Sequence, residues 1–253
     1  MTKVILNGCC GRMGKTISEL TKLSTNVEIT AGIDKYISDV EGSFPIFNDI
    51  LNCDVFSDVV LDFSSPKSLP SLSKYCLTNK IPLVLCTTGY NEEELKEIRE
   101  LSNKIPVFNS GNMSVGINLI SSILKKITPL LFDSYDIEII EKHHNQKIDA
   151  PSGTALLLAN SVKSSLESDI NYVNGRDGLR KREKNEIGIH AVRGGSIVGE
   201  HEVIFAGVGE IIELKHTALS REVFAVGALK ACEYIHGKPA GLYNMDNIIG
   251  EVL

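Results

Sequence analysis

The stretch "NGCCGRMGKT", residues 7–16, decides the fold class, because it joins a short apolar segment to a helical segment through three glycines. Gly8, Gly11 and Gly14 follow the spacing GxxGxxG, whereas the usual GxGxxG would place its middle glycine at Cys10. Glycines at such a junction let the backbone approach a pyrophosphate, which the N–H groups of the following helix attract. The sequence therefore predicts a dinucleotide-binding turn. An ordinary strand-to-helix turn is the alternative.

The residues on both sides of this turn extend the same pattern. Strand-like segments occur at residues 3–7, 27–33, 58–63, 81–86 and 105–109, and helix-like segments at residues 12–23, 66–79 and 91–103. Asn91 is a plausible cap for the last of these helices. Strands that alternate with helices predict a parallel sheet covered on both faces and joined by right-handed crossovers.

The pattern changes after Ser114. A long helix is predicted to about residue 131, then a strand at 135–142 and a helix from about Ser152. Three strand-like runs follow, near 187–193, 196–205 and 210–217, with the glycine-bearing joints "RGGS" and "AGVGE" that favour hairpins. We expect a Rossmann-like doubly wound parallel sheet (α/β) and a second α+β domain built on a mostly antiparallel sheet. The first domain spans residues 1–113 and is completed by 221–253, and the second spans 114–220.

Composition limits the partners. The net charge of -6 argues against binding to nucleic acid or to an anionic membrane, and no apolar run reaches the roughly 20 residues of a membrane span. The opening "MTKVILNG" lacks the pattern of a signal peptide. The six cysteines form no CxxC pair, which is typical of buried thiols in a reducing compartment. These features predict a cytoplasmic protein.

Residues after the later strands extend the predicted cofactor site. Asp34 lies 26 residues after Gly8, about where a dinucleotide fold places an acid on the ribose hydroxyls. That acid favours NADH, whereas Lys35 beside it could pair with the 2′-phosphate of NADPH or could be a solvated surface charge. The loops "CTTGY" (86–90) and "NSGNMSVG" (109–116) follow two further strands and suit contacts with the nicotinamide end.

A second motif, "EKHHNQKIDAPSGTA" at residues 141–155, concentrates proton carriers, cations and a helix start. Histidine titrates near neutral pH, Lys147 supplies a cation, and the N–H groups of Gly153 and Thr154 can receive a carboxylate. Together they indicate a pocket for a small anion. A metal site is the competing interpretation, but neither HExxH nor a nearby Cys/His set completes one. A structural turn is the other alternative.

This motif resembles the signature of the dihydrodipicolinate reductase family, whose members reduce 4-hydroxy-tetrahydrodipicolinate in the diaminopimelate route to lysine. The resemblance extends over nearly the whole chain, through "GCCGRMG", "DFSSP", "CTTG", "NMSVG", "GIHAVRGGSIVGEHEVIFA" and "GLYNM". It implies NADH or NADPH as cofactor, a small dicarboxylate substrate and a homotetramer. No metal is expected, because no HExxH motif or nearby Cys/His set completes a site.

The resemblance assigns roles residue by residue. His143 matches the general acid/base, and Lys147 matches a second proton-donating or charge-stabilising residue. Substrate contacts match His144, Lys147, Gly153, Thr154 and Thr88. Cofactor contacts match Gly8, Cys9, Cys10, Gly11, Arg12, Met13, Asp34, Lys35, Cys86, Thr87, Thr88, Ser110, Gly111, Asn112 and Met113. Cys10 and Cys86 stand where the family usually carries glycine, so each is expected to add a side chain near the cofactor.

Two other functions fit the first domain. Semialdehyde dehydrogenases share its pattern, but they need an activated cysteine, and residues 114–220 contain none. A redox-sensing dinucleotide binder would keep the glycine turn and would have no use for the residues of the second motif. Reduction of substrate by NADH or NADPH would separate an enzyme from such a sensor.

Overall fold

The structure is a computed structural model that describes residues 1–36 and 44–251. Along the chain its elements are β1 (Thr2–Asn7), α1 (Arg12–Thr21), β2 (Val27–Ile33), β3 (Ile46–Phe47), β4 (Val59–Asp62), α2 (Leu69–Asn79), β5 (Leu83–Leu85), α3 (Glu92–Ser102), β6 (Pro106–Asn109), α4 (Val115–Leu131), β7 (Asp136–His143), α5 (Gly153–Lys163), β8 (Asn171–Asn174), β9 (Glu186–Arg193), β10 (Gly199–Ala206), β11 (Ile211–Ala218), α6 (Glu222–Ile235), β12 (Gly241–Tyr243) and α7 (Met245–Gly250). Two compact units result: Met1–Val115 with Arg221–Leu253, and Gly116–Ser220.

The first unit contains a seven-stranded parallel sheet in the order β12-β6-β5-β4-β1-β2-β3. Strands β2 and β3 lie on one side of β1, whereas β4 and the later strands lie on its other side. This reversal of strand order is where open α/β sheets bind ligands. The doubly wound prediction is confirmed. The sequence reading missed β3 and β12, which are two and three residues long and carry too few positions for a periodic signal.

Helices cover both faces of this sheet, as predicted. Ile17 of α1 and Ala228 of α6 pack with Leu6 in one apolar cluster, whereas Leu72 of α2 and Ile98 of α3 belong to a second cluster. Burial of each leucine or isoleucine side chain in these clusters contributes roughly 1.5–3 kcal/mol. Asn91 caps α3 as expected, through a reciprocal capping box with Glu94.

The second unit corrects the prediction of a mostly antiparallel sheet. Its five strands lie in the order β11-β10-β7-β9-β8, with β10 antiparallel to β11 and β7 but β9 parallel to β7 and β8. The "AGVGE" joint is a hairpin. The "RGGS" joint is not, because β7 lies between the two strands that it connects. The sheet is therefore mixed. Its central strand is β7, which separates β9 from β10 although these two follow each other in the sequence.

One face of this mixed sheet carries the helices α4 and α5. Ile139 of β7, Leu124 of α4 and Leu158 of α5 are fully buried in one apolar cluster. Burial alternates along β7, so that Glu141 and His143 lie on the same buried face. Among the described residues, no helix combines the length and the apolar character that crossing a membrane requires.

Candidate functional site

The glycine turn after β1 is fixed by close backbone packing. Gly8 has φ +84°, and a Cβ there would lie 2.6 Å from the Phe63 carbonyl oxygen after β4. At Gly14 a Cβ would lie 2.2 Å from the Gly8 carbonyl oxygen. Only glycine fits these two positions, because one needs the left-handed region and the other lets α1 begin against the turn.

The glycine turn brings the start of α1 and the carboxylate of Asp34 close together. Gly11 is the N-cap of α1, so the N–H groups of Arg12 and Met13 have no acceptor within the helix. Asp34 accepts hydrogen bonds from the Cys10 N–H at 2.9 Å and from the Tyr36 N–H at 3.1 Å. The acid expected on the ribose is thus held beside the glycine turn.

A buried carboxylate ties the neighbouring loops together. Asp62, at the end of β4, accepts from Asn7 Nδ2 at 2.7 Å, from Thr87 Oγ1 at 2.6 Å and from Ser64 Oγ at 2.5 Å. Burial raises the pKa of Asp62, and these hydrogen bonds oppose that shift. Asp62 therefore fixes the ends of β1, β4 and β5 relative to one another, a role that the sequence reading missed.

A cavity of about 460 Å³ opens at the reversal of strand order, within the usual range for small-ligand pockets. Gly8, Gly11, Asp34 and Lys35 line it, as do Tyr36, Ser64, Ser65 and Lys67, which the sequence reading did not select. The close-packed glycines leave room for a pyrophosphate, and the first N–H groups of α1 and the fixed Asp34 carboxylate are the donors and the acceptor that a dinucleotide needs. The residues present therefore fit an NAD(P) cofactor.

The remaining predicted cofactor residues divide by burial. Gly111 and Thr88 are exposed, and Arg12 is exposed at the start of α1, whereas Cys9, Cys86, Thr87, Asn112 and Met113 are buried. The Cys86 side chain packs in the apolar core, contrary to the expectation that it projects toward the cofactor. Any contact from Cys86 or Cys9 with a dinucleotide is therefore through the backbone, whereas Cys10 is half-buried.

The histidine motif in the second unit is built around Glu141. The Glu141 side chain is fully buried, and its Oε2 lies 2.6 Å from Nδ1 of His143. Arg193 donates two hydrogen bonds to the same carboxylate, at 2.7 and 2.8 Å. Burial opposes ionisation of Glu141, but the hydrogen bonds from Arg193 and His143 outweigh it and hold its pKa below the usual value. An ionised Glu141 fixes the ring of His143 and accepts its Nδ1–H.

The same carboxylate organises the loop that follows. The Ser152 N–H donates to Glu141 Oε1 at 3.0 Å, and Ser152 Oγ caps α5 by accepting from the Ala155 N–H. Arg193 also donates to the Asp149 carbonyl oxygen at 2.6 Å, and the Asp149 carboxylate pairs with Lys147 at 2.8 Å. Asp149 therefore holds the loop and does not cap the helix. The predicted catalytic residues, His143 and Lys147, are linked through Glu141 and Arg193.

A second buried histidine lies against the first. The rings of His201 and His143 are edge to face, with centroids 5.0 Å apart, and His201 Nε2 lies 3.1 Å from Ser152 Oγ. Burial, followed by the nearby His143, lowers the pKa of His201 to about 3, so His201 stays neutral. Burial also lowers the pKa of His143, and the Glu141 carboxylate opposes that shift.

Three residues of this site were absent from the sequence prediction: Glu141, Arg193 and His201. Glu141 could have been predicted from the sequence, because it lies two positions before His143 in a strand and therefore on the same face. Arg193 and His201 come from strands about 50 and 60 residues later, and only the register of the sheet brings them to His143. In that register His143 pairs with Arg193.

Known proteins match this chain along nearly its whole length. Residues 2–113 match the family model described as "Dihydrodipicolinate reductase, N-terminus", and residues 116–249 match "Dihydrodipicolinate reductase, C-terminus". A protein of Clostridium novyi (strain NT) named 4-hydroxy-tetrahydrodipicolinate reductase is 64% identical, with 98% of each chain covered. Its namesake from Brachyspira hyodysenteriae is 42% identical over 98% of this chain and 99% of its own.

A solved structure shows the same architecture. It is the dipicolinate-bound dihydrodipicolinate reductase from Paenisporosarcina sp. TG-14, with a TM-score of 0.82 and 26% identity, and 98% of this chain and 99% of that chain are covered. The sequence resemblance is confirmed: the chain belongs to the dihydrodipicolinate reductase family.

Proposed function

We propose that this chain reduces 4-hydroxy-tetrahydrodipicolinate to tetrahydrodipicolinate with loss of water, in the diaminopimelate route to lysine. NADH or NADPH is the proposed reductant. The observation that carries the proposal is the buried Glu141–His143 pair, joined by Arg193 to the loop that bears Lys147. This is a proton-transfer group beside a cation and a helix start. Relatives with the corresponding reductase name are 42–64% identical to the chain.

The start of α5 is the proposed cradle for one substrate carboxylate. Gly153 and Thr154 are its first two residues, and a Cβ at Gly153 would meet nothing within 4 Å. Their N–H groups and the positive end of the helix dipole attract an anion. Lys147 adds a full charge, and His144 and Thr88 are the further proposed substrate contacts. The Paenisporosarcina relative was solved with dipicolinate, a ring dicarboxylate of this kind.

His143 is the proposed general acid. Because its Nδ1 faces the Glu141 carboxylate, its Nε2 is the nitrogen that can hold or release a proton toward a substrate. The lowered pKa of His143 means that a proton on Nε2 is held weakly and is readily transferred. Lys147 is proposed to stabilise the negative charge that develops on the substrate, and it can donate a second proton.

The cofactor site is proposed at the cavity of the first unit. The turn residues Gly8–Met13 would hold the pyrophosphate, with Asp34 and Lys35 at the adenosine ribose. The loops after β5 and β6, with Cys86, Thr87, Thr88, Ser110, Gly111, Asn112 and Met113, would hold the nicotinamide end. When bound, NADH or NADPH supplies the hydride, and the protein supplies orientation and electrostatics. We further propose that the second unit is the substrate-binding and oligomerisation domain of a cytoplasmic homotetramer.

The proposed activity predicts oxidation of NADH or NADPH in a coupled assay. Pyruvate, aspartate semialdehyde and the synthase that condenses them generate the substrate in place, and loss of absorbance at the nicotinamide band is followed. We expect loss that depends on both the synthase and this protein. Absence of loss at high protein concentration, with dinucleotide binding intact, would favour a sensor that does no chemistry.

Cofactor preference is predicted to depend on Lys35. Lys35→Ala should weaken NADPH binding about tenfold, since a charge-assisted hydrogen bond to the 2′-phosphate contributes roughly 1.5 kcal/mol, and should leave NADH binding nearly unchanged. Fluorescence titration of both cofactors measures the effect. Lys74→Ala, which removes an exposed lysine of α2 outside the cavity lining, is the matched control. Equal weakening of both cofactors would contradict the assignment.

A further inference from the structure

Two thiols and a carboxylate meet at the glycine turn. The sulfur atoms of the adjacent residues Cys9 and Cys10 lie 3.9 Å apart, because the turn directs both side chains to the same side. One ligand atom each from Cys9, Cys10 and Asp34 lies within 4.8 Å of the other two. The Cys10 N–H, at 2.9 Å, fixes the Asp34 carboxylate next to the pair. The sulfur and oxygen ligands are thus assembled by the local backbone.

The spacing suits a tetrahedral zinc ion. With Zn–S bonds of about 2.3 Å, two thiolates of one tetrahedral site stand about 3.8 Å apart, close to the separation observed here. The carboxylate has to approach the sulfur atoms by about 1 Å, which lengthens its hydrogen bonds with the Cys10 and Tyr36 N–H groups. We propose that Cys9, Cys10 and Asp34 form a Zn²⁺ site with a solvent-derived fourth ligand.

The two thiols differ in exposure. Cys9 is buried in an apolar cluster of the first unit, whereas Cys10 is half-buried. A metal ion binds a thiolate by displacing the thiol proton. Of the six thiols, all of which the structure describes, Cys10 is half-buried and the other five are buried, so the Cys9–Cys10 pair has one member that solvent reaches.

The site shares one residue, Asp34, with the lining of the proposed cofactor cavity. Asp34 lines that cavity together with Gly8 and Gly11. A metal ion on Asp34 takes the carboxylate that a dinucleotide ribose would use, so Zn²⁺ and NADH should compete. This consequence rests on the proposed function, whereas the metal site itself does not.

Cd²⁺ is the spectroscopic probe, because its thiolate complexes have a charge-transfer band in the ultraviolet. The full chain, kept reduced with a phosphine, is titrated with Cd²⁺ and then back-titrated with Zn²⁺. We expect a thiolate-to-metal band in the wild type that Zn²⁺ displaces. Cys10→Ser should weaken the affinity at least about 100-fold, since even outer partners of a metal site are worth about 10- to 100-fold. Asp34→Asn should weaken it as well.

Cys53→Ser, which removes a buried thiol elsewhere in the first unit, is the matched control and should keep the band. A wild-type titration without the band, or a band of wild-type affinity in Cys10→Ser, would overturn the site. Thermal unfolding curves of each variant verify that it is folded. Saturating NADH should diminish the wild-type band. Persistence of the band while NADH fluorescence reports binding would refute competition alone, and failure of NADH to bind would count against the proposed function only.

Discussion

Replacement of His143 by Gln should lower turnover by about 100- to 10,000-fold, the range that a positioned general acid contributes, and leave NADH affinity nearly unchanged. The variant keeps a polar side chain against Glu141 but has no group that can release a proton at neutral pH. Steady-state kinetics in the coupled assay give turnover, and fluorescence titration gives the affinity for NADH. His144→Gln is the matched control, because the loss of a substrate contact should act mainly on KM. Turnover equal to that of the wild type in His143→Gln would remove the general-acid role.

The pH profile tests the same residue independently. Burial holds the pKa of His143 below 6.5, so the free protein loses the Nε2 proton as pH rises through this lowered value. Because kcat/KM reports the free enzyme, its alkaline limb should have a midpoint below 6.5. A bound dicarboxylate favours the charged imidazole, so the limb of kcat should lie at higher pH. In His143→Gln this limb should disappear from both profiles.

The first unit could be predicted from the sequence because its signals are local. Helices α1, α2 and α3 directly follow or precede the strands β1, β4, β5 and β6 along the chain, and the glycine turn joins β1 to α1 within ten residues. The order of strands in the second unit is not a local property. There β7 pairs with both β9 and β10, which follow it much later in the chain. No local sequence pattern indicates that β7 lies between those two strands.

The same distinction explains the site. His143, Lys147, Gly153 and Thr154 lie within twelve residues of one another, and the sequence motif predicted them together. Arg193 was not predicted, because an isolated arginine in a strand carries no signal until the β7–β9 register places it beside Glu141. The serines of the cofactor cavity were missed for a similar reason, since they follow β4 in a loop whose proximity to the glycine turn depends on the sheet order.

The largest effect away from the reacting atoms is expected for Glu141→Gln. An amide keeps the shape of the side chain but brings N–H donors to a position where Arg193, His143 and the Ser152 N–H all require an acceptor. We expect turnover to fall by about 100-fold or more, as it does when the carboxylate that orients a catalytic histidine is replaced by an amide. Breaking the buried pair with Arg193 should also destabilise the fold by roughly 3 kcal/mol, measurable by thermal unfolding.

Glu138→Gln separates positioning from stability. Glu138 lies on the same strand as Glu141, three residues earlier, and pairs with Arg176, Arg182 and His190 in place of His143. Its loss should destabilise the protein without changing the turnover of the folded fraction. The Glu141 carboxylate raises the pKa of His143 against the effect of burial, so Glu141→Gln should move the alkaline limb of kcat/KM to lower pH. A purely structural carboxylate would leave that limb unmoved. A displaced limb in Glu141→Gln, with an unchanged limb in Glu138→Gln, therefore identifies Glu141 as the residue that sets the ionisation of His143.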